Sequence, residues 1–412
     1  MLVKKRLKEK ITSARTKLGL AFSGLLPFLI LAHFGHHLLN ALPIPLLPFI
    51  REEFALDYTR AGVILSAFNI TYGISQLPAG WLADRMGARL ISAIGISGVA
   101  FCGLLLGLSP TYFMMIIFII IMGIVGGGYH PTSPSLISAL VRTKNQGGAL
   151  GLHMIGGSAS YFLAPLIAAT IAARWDWRAP FITLAIPTIL FGIAFYFILG
   201  KRFSSRDAET VRKSHPNQMM PALNWHHLAP FILLITLTVA IILSVIPYIP
   251  LYLVDHFAVE KETAAAVIAV FYSAGLWAGP LGGYLSDHVG RKRVILSACF
   301  MSCPAIYLLK VLPFGLGFGL GLLFIGIIVY TIEPAAQAYI VSQTSARRRS
   351  STFGIYFSVG LIGSGLIIPL IGYLITKFGF STSFTIIGAA LLVTALSYSL
   401  WMWSSRSQPS AP

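Results

Sequence analysis

Apolar runs close to twenty residues long recur from one end of the chain to the other, and short stretches between them hold most of the charged residues. A helix rises about 1.5 Å per residue, so each run is long enough to cross roughly 30 Å of hydrocarbon. The pattern predicts twelve membrane-spanning helices, at about 19–49, 60–82, 89–108, 111–140, 148–172, 178–199, 229–254, 262–284, 293–311, 314–343, 351–375 and 381–403. The expected fold class is therefore an all-α membrane protein.

The pattern is doubled. Gly80, Leu82, Asp84 and Gly87 reappear as Gly283, Leu285, Asp287 and Gly290, an offset of 203 residues. The same offset carries His130-Pro131 onto Glu333-Pro334, Gly151 onto Gly354, and Arg174-Trp175 onto Lys377-Phe378. One offset that persists over so much of the chain is an internal duplication, which fixes the plan of the fold before any detail does. It predicts two pseudo-twofold-related six-helix bundles, at 19–199 and 229–403, joined by a polar linker at 200–228. A basic segment at 1–18 and a short tail at 404–412 flank them.

Composition agrees with this plan. The 412 residues are 56% hydrophobic and only 10% charged, too few charges for a surface that faces water on all sides. The net charge of +17 suggests a polyanionic partner until its placement is read. With the N-terminus inside, 23 of the 30 lysines and arginines fall on the cytoplasmic side, and the positive-inside rule then sets both termini there. That asymmetry accounts for the charge without nucleic acid, and the lysines of 1–18 suit the anionic inner surface of a cell membrane. The first apolar run lasts about thirty residues and contains His33, His36, His37 and Asn40, so it reads as a retained helix rather than a cleaved leader. Cys102, Cys299 and Cys303 all lie in spans and read as packing residues.

Polar residues at membrane depth are costly and mark pathways by default. His33 and His37 share one face of the first span, with Asn40 a turn on, and Pro43, Pro45 and Pro48 loosen its far end. The fourth span crowds Gly126, Gly127, Gly128, Tyr129, His130, Pro131 and Pro134 together. Of 13 acidic residues, Glu333 alone falls deep inside a span. Desolvation penalises an ionised carboxylate, so a lone buried acid suits loading and releasing a proton. Its repeat-equivalent, His130, is expected to face it across the pseudo-twofold axis. His153 reads as a core residue, and His215, His226 and His227 as solvated linker positions. No HExxH, GxSxG or Walker lysine accompanies the glycine-rich runs, so neither an intramembrane hydrolase nor an ATP-driven pump is expected, and no cofactor.

Twelve spans in two parallel halves joined by a basic linker resemble the major facilitator superfamily of secondary transporters. The resemblance covers the whole chain, and its most specific element is the doubled loop: Gly80, Asp84, Arg85, Gly87 and Arg89, then Gly283, Asp287, Gly290, Arg291 and Lys292. It implies that these residues form a cytoplasmic latch in one conformation, with Ala88 standing where a basic residue is common. The fifth span is similar to a glycine-rich antiporter motif through Gly151 and Pro165, with Ser160, Ala164, Ala168 and Ala169 in place of glycines. Tyr129-His130-Pro131, His37 with Asn40, and Gly156-Gly157 loosely resemble the fosmidomycin-resistance group of efflux proteins.

The expectation is a monomeric, multi-pass transporter of the cell (inner) membrane that works by alternating access. It exports a drug-like or small anionic compound against protons. Glu333 is the coupling acid, and His130, His33, His37, Asn40, Tyr129 and Tyr356 line the substrate site, with Tyr72, Tyr272 and Trp277 as further cavity aromatics. Two alternatives stand beside it. One is proton-coupled import of a small organic anion. In the other, His33, His37, His130 and Glu333 ligate a transition metal or its chelate, since imidazole and carboxylate suit zinc, iron or nickel.

Overall fold

The computed structural model describes residues 25–140, 146–202, 225–344 and 346–406. The basic lead-in 1–18, the linker residues 203–224 with His215, and the tail residues 407–412 lie outside the described residues, as do the side chains of His226 and His227. Every described element is helical: α1 (Leu26–Asn40), α2 (Pro43–Glu53), α3 (Tyr58–Met86), α4 (Ala88–Gly107), α5 (Tyr112–Gly126), α6 (Tyr129–Leu140), α7 (Gln146–Arg174) and α8 (Ala179–Arg202) form the first half. The second half holds α9 (Trp225–Val245), α10 (Ile249–Phe257), α11 (Lys261–Ser273), α12 (Ala278–Val289), α13 (Arg291–Val311), α14 (Leu316–Gln343) and α15 (Ala346–Arg406), with 3₁₀ turns at Ile246–Tyr248 and Ala274–Leu276.

Among the described residues each expected span is mainly helical, and the breaks within spans fall where the sequence carries glycine or proline. The first span restarts at Pro43, whose missing N–H costs nothing at a helix start. The seventh is interrupted at Ile246–Tyr248, around Pro247. Residues Ala346–Arg406 run as one helical stretch split at Gly379, which adopts φ 75°. By length and hydropathy alone, eight of the described helices are able to cross a membrane, or nine with the bent pair Lys261–Leu276 and Ala278–Val289 taken as one span. Phe113, Leu316, Leu366 and Leu400 stand more than 60% exposed, as lipid-facing side chains do.

The duplicated motif has a backbone reason for its second glycine. Gly87 caps α3 at φ 91° and Gly290 caps α12 at φ 103°, each handing the chain directly to the next helix. Nothing lies within 4 Å of a Cβ placed on either residue. The left-handed conformation, not crowding, is what requires glycine at both places.

The halves meet mainly along two seams, α3 on α15 and α7 on α11. On the first, Ser66 Oγ donates to Gly365 O at 2.5 Å and Ser358 Oγ to Gly73 O at 3.0 Å, and Tyr248 OH of the second half donates to Tyr58 O of α3 at 3.3 Å. A Cβ on Gly365 would lie 2.5 Å from Ile70 Cγ1, so small residues set the approach here, as in other membrane helix pairs.

Charged groups close one end of the bundle. Arg51 Nη1 pairs with Asp255 Oδ2 at 2.5 Å across the halves, Tyr58 OH donates to the same oxygen at 2.6 Å, and Lys261 pairs with Glu52. A cavity of about 290 Å³ lies among these residues, with Pro48, Leu56, Leu251 and Val254 in its wall. Glu53 stays within its own half, held by Arg178 and Trp177, and the Arg178 hydrogen bond keeps its carboxyl below the usual range. At the opposite end no ion pair crosses between the halves among the described residues. There Arg85 lies over the Trp81 ring at 3.7 Å, Arg89 over Tyr196 at 4.2 Å, and Asp287 lies 4.0 Å from Arg291 of the next helix. Asp84 is exposed and has no ionic partner among the described residues.

Two outcomes follow from this closure. Each partly exposed pair is worth about 0.2–1 kcal/mol, so removing both cross-half pairs shifts the closed-to-open ratio by roughly 2- to 30-fold. Arg51→Ala combined with Lys261→Ala is therefore expected to speed maleimide alkylation of a cysteine placed at buried Ser66 by that factor, and an unchanged rate argues against a gate. For Glu53, a lowered folded-state value means that its contribution is complete above the ordinary carboxylate range and is lost as pH falls through the folded value. Melting temperature is expected to drop on acidification between about pH 5 and 3, and less steeply in Glu53→Gln.

Candidate functional site

The first half encloses a nest of five imidazoles drawn from α1, α6 and α7. His33, His36 and His37 come from one turn and a half of α1, His130 from the start of α6, and His153 from α7. All but the half-buried His130 are buried. His33 stacks on His153 with ring centroids 4.3 Å apart, His36 stacks on Tyr129 at 4.4 Å, and His130 lies 5.1 Å from His37 and 5.5 Å from His33.

Backbone carbonyls decide which ring nitrogens carry hydrogen. His33 Nδ1 donates to His153 O at 2.9 Å, and His153 Nδ1 donates to Leu29 O at 3.0 Å. A carbonyl can only accept, so each neutral ring is left with a bare lone pair on Nε2. Neither Nε2 finds a partner although both are buried. His36 is satisfied at both nitrogens, donating from Nδ1 to Gly95 O at 3.0 Å and accepting at Nε2 from Tyr72 OH at 2.9 Å. Asn40 Nδ2 donates to His36 O at 3.3 Å, which turns Oδ1 toward His37 Nδ1 at 3.4 Å. His37 thus also has its lone pair on Nε2. His130 makes no hydrogen bond among the described residues.

Glu333 sits in a second nest, built of tyrosines. It is half-buried on α14, accepts from Gln337 Nε2 at 3.3 Å, and lies within electrostatic reach of Tyr161, Tyr330 and Tyr356. Tyr161 belongs to α7 of the first half. Its ring is 4.9 Å from His37 and 5.3 Å from Tyr272 of the second half. Tyr161 therefore stands between the two nests, and between the two halves.

Of the residues picked from the sequence, His33, His37, Asn40, Tyr129 and His130 come together, and Tyr356 joins Glu333. Among the described residues His130 lies against the α1 histidines, and Tyr161 comes within reach of Glu333. Tyr129 is fully buried against His36 and His33, and its OH lacks a partner. The sequence reading missed Tyr161, and it set aside His36 and His153. Their signal was present in the spacing: His153, Gly157 and Tyr161 recur every four residues on one face of α7, facing α1.

The profile of the Major Facilitator Superfamily matches residues 29–257 and 231–412. The chain belongs to the major facilitator superfamily. It is a multi-pass membrane transporter, not an enzyme, and its all-helical, internally doubled architecture is that of the superfamily. It is 25% identical over 398 residues to the multidrug resistance protein MdtG of Escherichia coli (strain K12 / DH10B), covering 93% of this chain and 95% of MdtG. Its fold is similar to that of a bacterial homologue of the human lysosomal transporter Spinster in an inward-facing, occupied conformation, with TM-score 0.71, 17% identity, and coverage of 96% and 97% of the two chains. It is similar too to a D-xylose–proton symporter, with TM-score 0.74, 15% identity, and coverage of 91% and 96%.

Gly157 is the floor under His33. A Cβ there would lie 2.7 Å from His33 Cε1 and 2.8 Å from Nε2. Gly157→Ala is expected to push the His33 ring off its carbonyl partner at a cost of about 1–3 kcal/mol, read as a lower melting temperature of the purified protein. Gly151→Ala, where nothing lies within 4 Å, is the matched control and should leave it unchanged.

Proposed function

We propose that this transporter works by alternating access and exports a drug-like or small anionic compound in exchange for protons, with Glu333 as the coupling acid. The observation that carries this reading is the position of Glu333 on the second half within reach of Tyr161 on the first. A rocking motion of one half against the other changes that separation and the solvation of the carboxyl together. A carboxyl whose solvation alternates changes its hold on a proton in step.

In this reading the Asp84 and Asp287 end faces the cytoplasm, and the ion pairs at Arg51 and Lys261 close the outer side. The arrangement is then the inward-facing member of the cycle. Cargo enters from the cytoplasm between the two nests, and the latch residues Gly80, Asp84, Arg85, Gly87, Arg89, Gly283, Asp287, Gly290 and Arg291 engage when that side shuts. The histidine nest supplies polar but uncharged lining, and Tyr161, Tyr272, Tyr330 and Tyr356 supply aromatic surface for an amphiphilic molecule. Export is supported by the name of the relative MdtG, a multidrug resistance protein.

The test uses protein reconstituted in liposomes and a compound selected by thermal shift. Glu333→Gln is expected to abolish flux driven by a pH gradient while leaving exchange of labelled for unlabelled compound intact. Flux that keeps its pH-gradient dependence in Glu333→Gln removes this residue from the mechanism.

A further inference from the structure

The buried lone pairs of the histidine nest need an electropositive partner that the protein itself does not provide. His33 is 1% exposed, its Nδ1–H is spent on the His153 carbonyl, and its Nε2 accepts from nothing. His37 is oriented the same way by Asn40. His130 is free at both nitrogens among the described residues, and one ring nitrogen from each of these three histidines lies within 4.8 Å of the other two. A histidine that donates one N–H to a carbonyl or amide oxygen and offers the other nitrogen inward is the usual arrangement around a bound metal.

We infer that His33, His37 and His130 form a three-histidine site for a borderline divalent cation of the zinc, cobalt or nickel class. Three neutral imidazoles suit these ions, whereas calcium and magnesium require oxygen donors. The other two imidazoles are excluded by geometry: both nitrogens of His36 are engaged, and His153 lies face to face with His33.

The distances suit a site that tightens on binding. Metal–nitrogen bonds of about 2.0–2.1 Å in tetrahedral geometry bring ligand nitrogens to roughly 3.4 Å of one another. Closing from 4.8 Å takes ring movements of about an ångström. His130 has no hydrogen bond to break, and the His37–Asn40 contact is already long at 3.4 Å. Three histidine ligands leave the fourth position of a tetrahedral ion open, so a bound cation would offer a coordination site to water or to an anionic group of the cargo. The site is independent of proton coupling by Glu333, which is not among its ligands.

The test is a titration of the purified full chain with Co²⁺, followed by its visible absorption. One equivalent is expected to produce the intense bands of a tetrahedral ion, which Zn²⁺ then displaces. Asn40→Ala, which frees the His37 ring, is expected to weaken binding by about 10- to 100-fold, and His130→Ala by more. His130→Cys keeps a ligand and should restore binding with an added thiolate-to-cobalt charge-transfer band, a signature that a merely misfolded variant does not give. His288→Ala, on the exposed end of the second half, is the control and should bind as the parent does. Absence of a tetrahedral spectrum in the parent chain, or unchanged Co²⁺ affinity in His130→Ala, overturns the proposal. In liposomes, accumulation of Zn²⁺ would identify the ion as cargo, and binding without accumulation would identify it as resident; both require the same site.

Discussion

Hydrocarbon offers no hydrogen bonds, so a polar group placed at membrane depth must be satisfied by the protein around it. The whole interior of this transporter is arranged around that constraint. Five imidazoles stand within one half, and the backbone carbonyls of His153, Leu29 and Gly95 each take an N–H from one of them. Those bonds fix the rings, the rings fix the approach of α1 to α4, α6 and α7, and Gly156 and Gly157 leave α7 close enough to serve as the acceptor wall. What remains is directional: His33, His37 and His153 are each left with an open lone pair on Nε2, and ring nitrogens of His33, His37 and His130 gather within 4.8 Å of one another.

The same accounting explains how the two halves are held together. Along the seams, serine hydroxyls bond to glycine carbonyls that small residues leave accessible, giving contacts that are weak, local and easily remade. Among the described residues, the charged pairs that join the two halves lie at the end where Arg51, Glu52, Asp255 and Lys261 still reach water. Exposed pairs of this kind contribute little each, which suits a gate that has to open. A strong buried pair at the centre would instead lock one state.

Much of the architecture was legible from residues 80–89 and 283–292 alone. The doubled glycines at 87 and 290 pointed to equivalent turns, and both adopt the same left-handed conformation for the same steric reason. The helix breaks at Pro43, Pro247 and Gly379 fell where a missing N–H or a missing side chain allows them. The histidines of α1 were visible because a four-residue spacing puts two side chains on one face. Tyr161 shares such a spacing with His153 and Gly157, but that mark alone does not separate a core position from a junction between halves.

The sequence by itself determined that the chain crosses the membrane repeatedly, that it is built twice, and that its deep histidines and acids are few: three histidines in α1, His130, His153 and one acid. These follow from period, composition and spacing, which are local or linear properties. Only the tertiary structure decided which of those groups share a site. The internal offset paired His130 with Glu333, and the fold sets His130 against His33 and His37 while Tyr161 comes within reach of Glu333, because a repeat fixes the position of a residue along its helix but not its neighbours across the bundle. Hydrogen bonding to carbonyls 59 to 124 residues away then chose the tautomers, and no linear pattern encodes that choice.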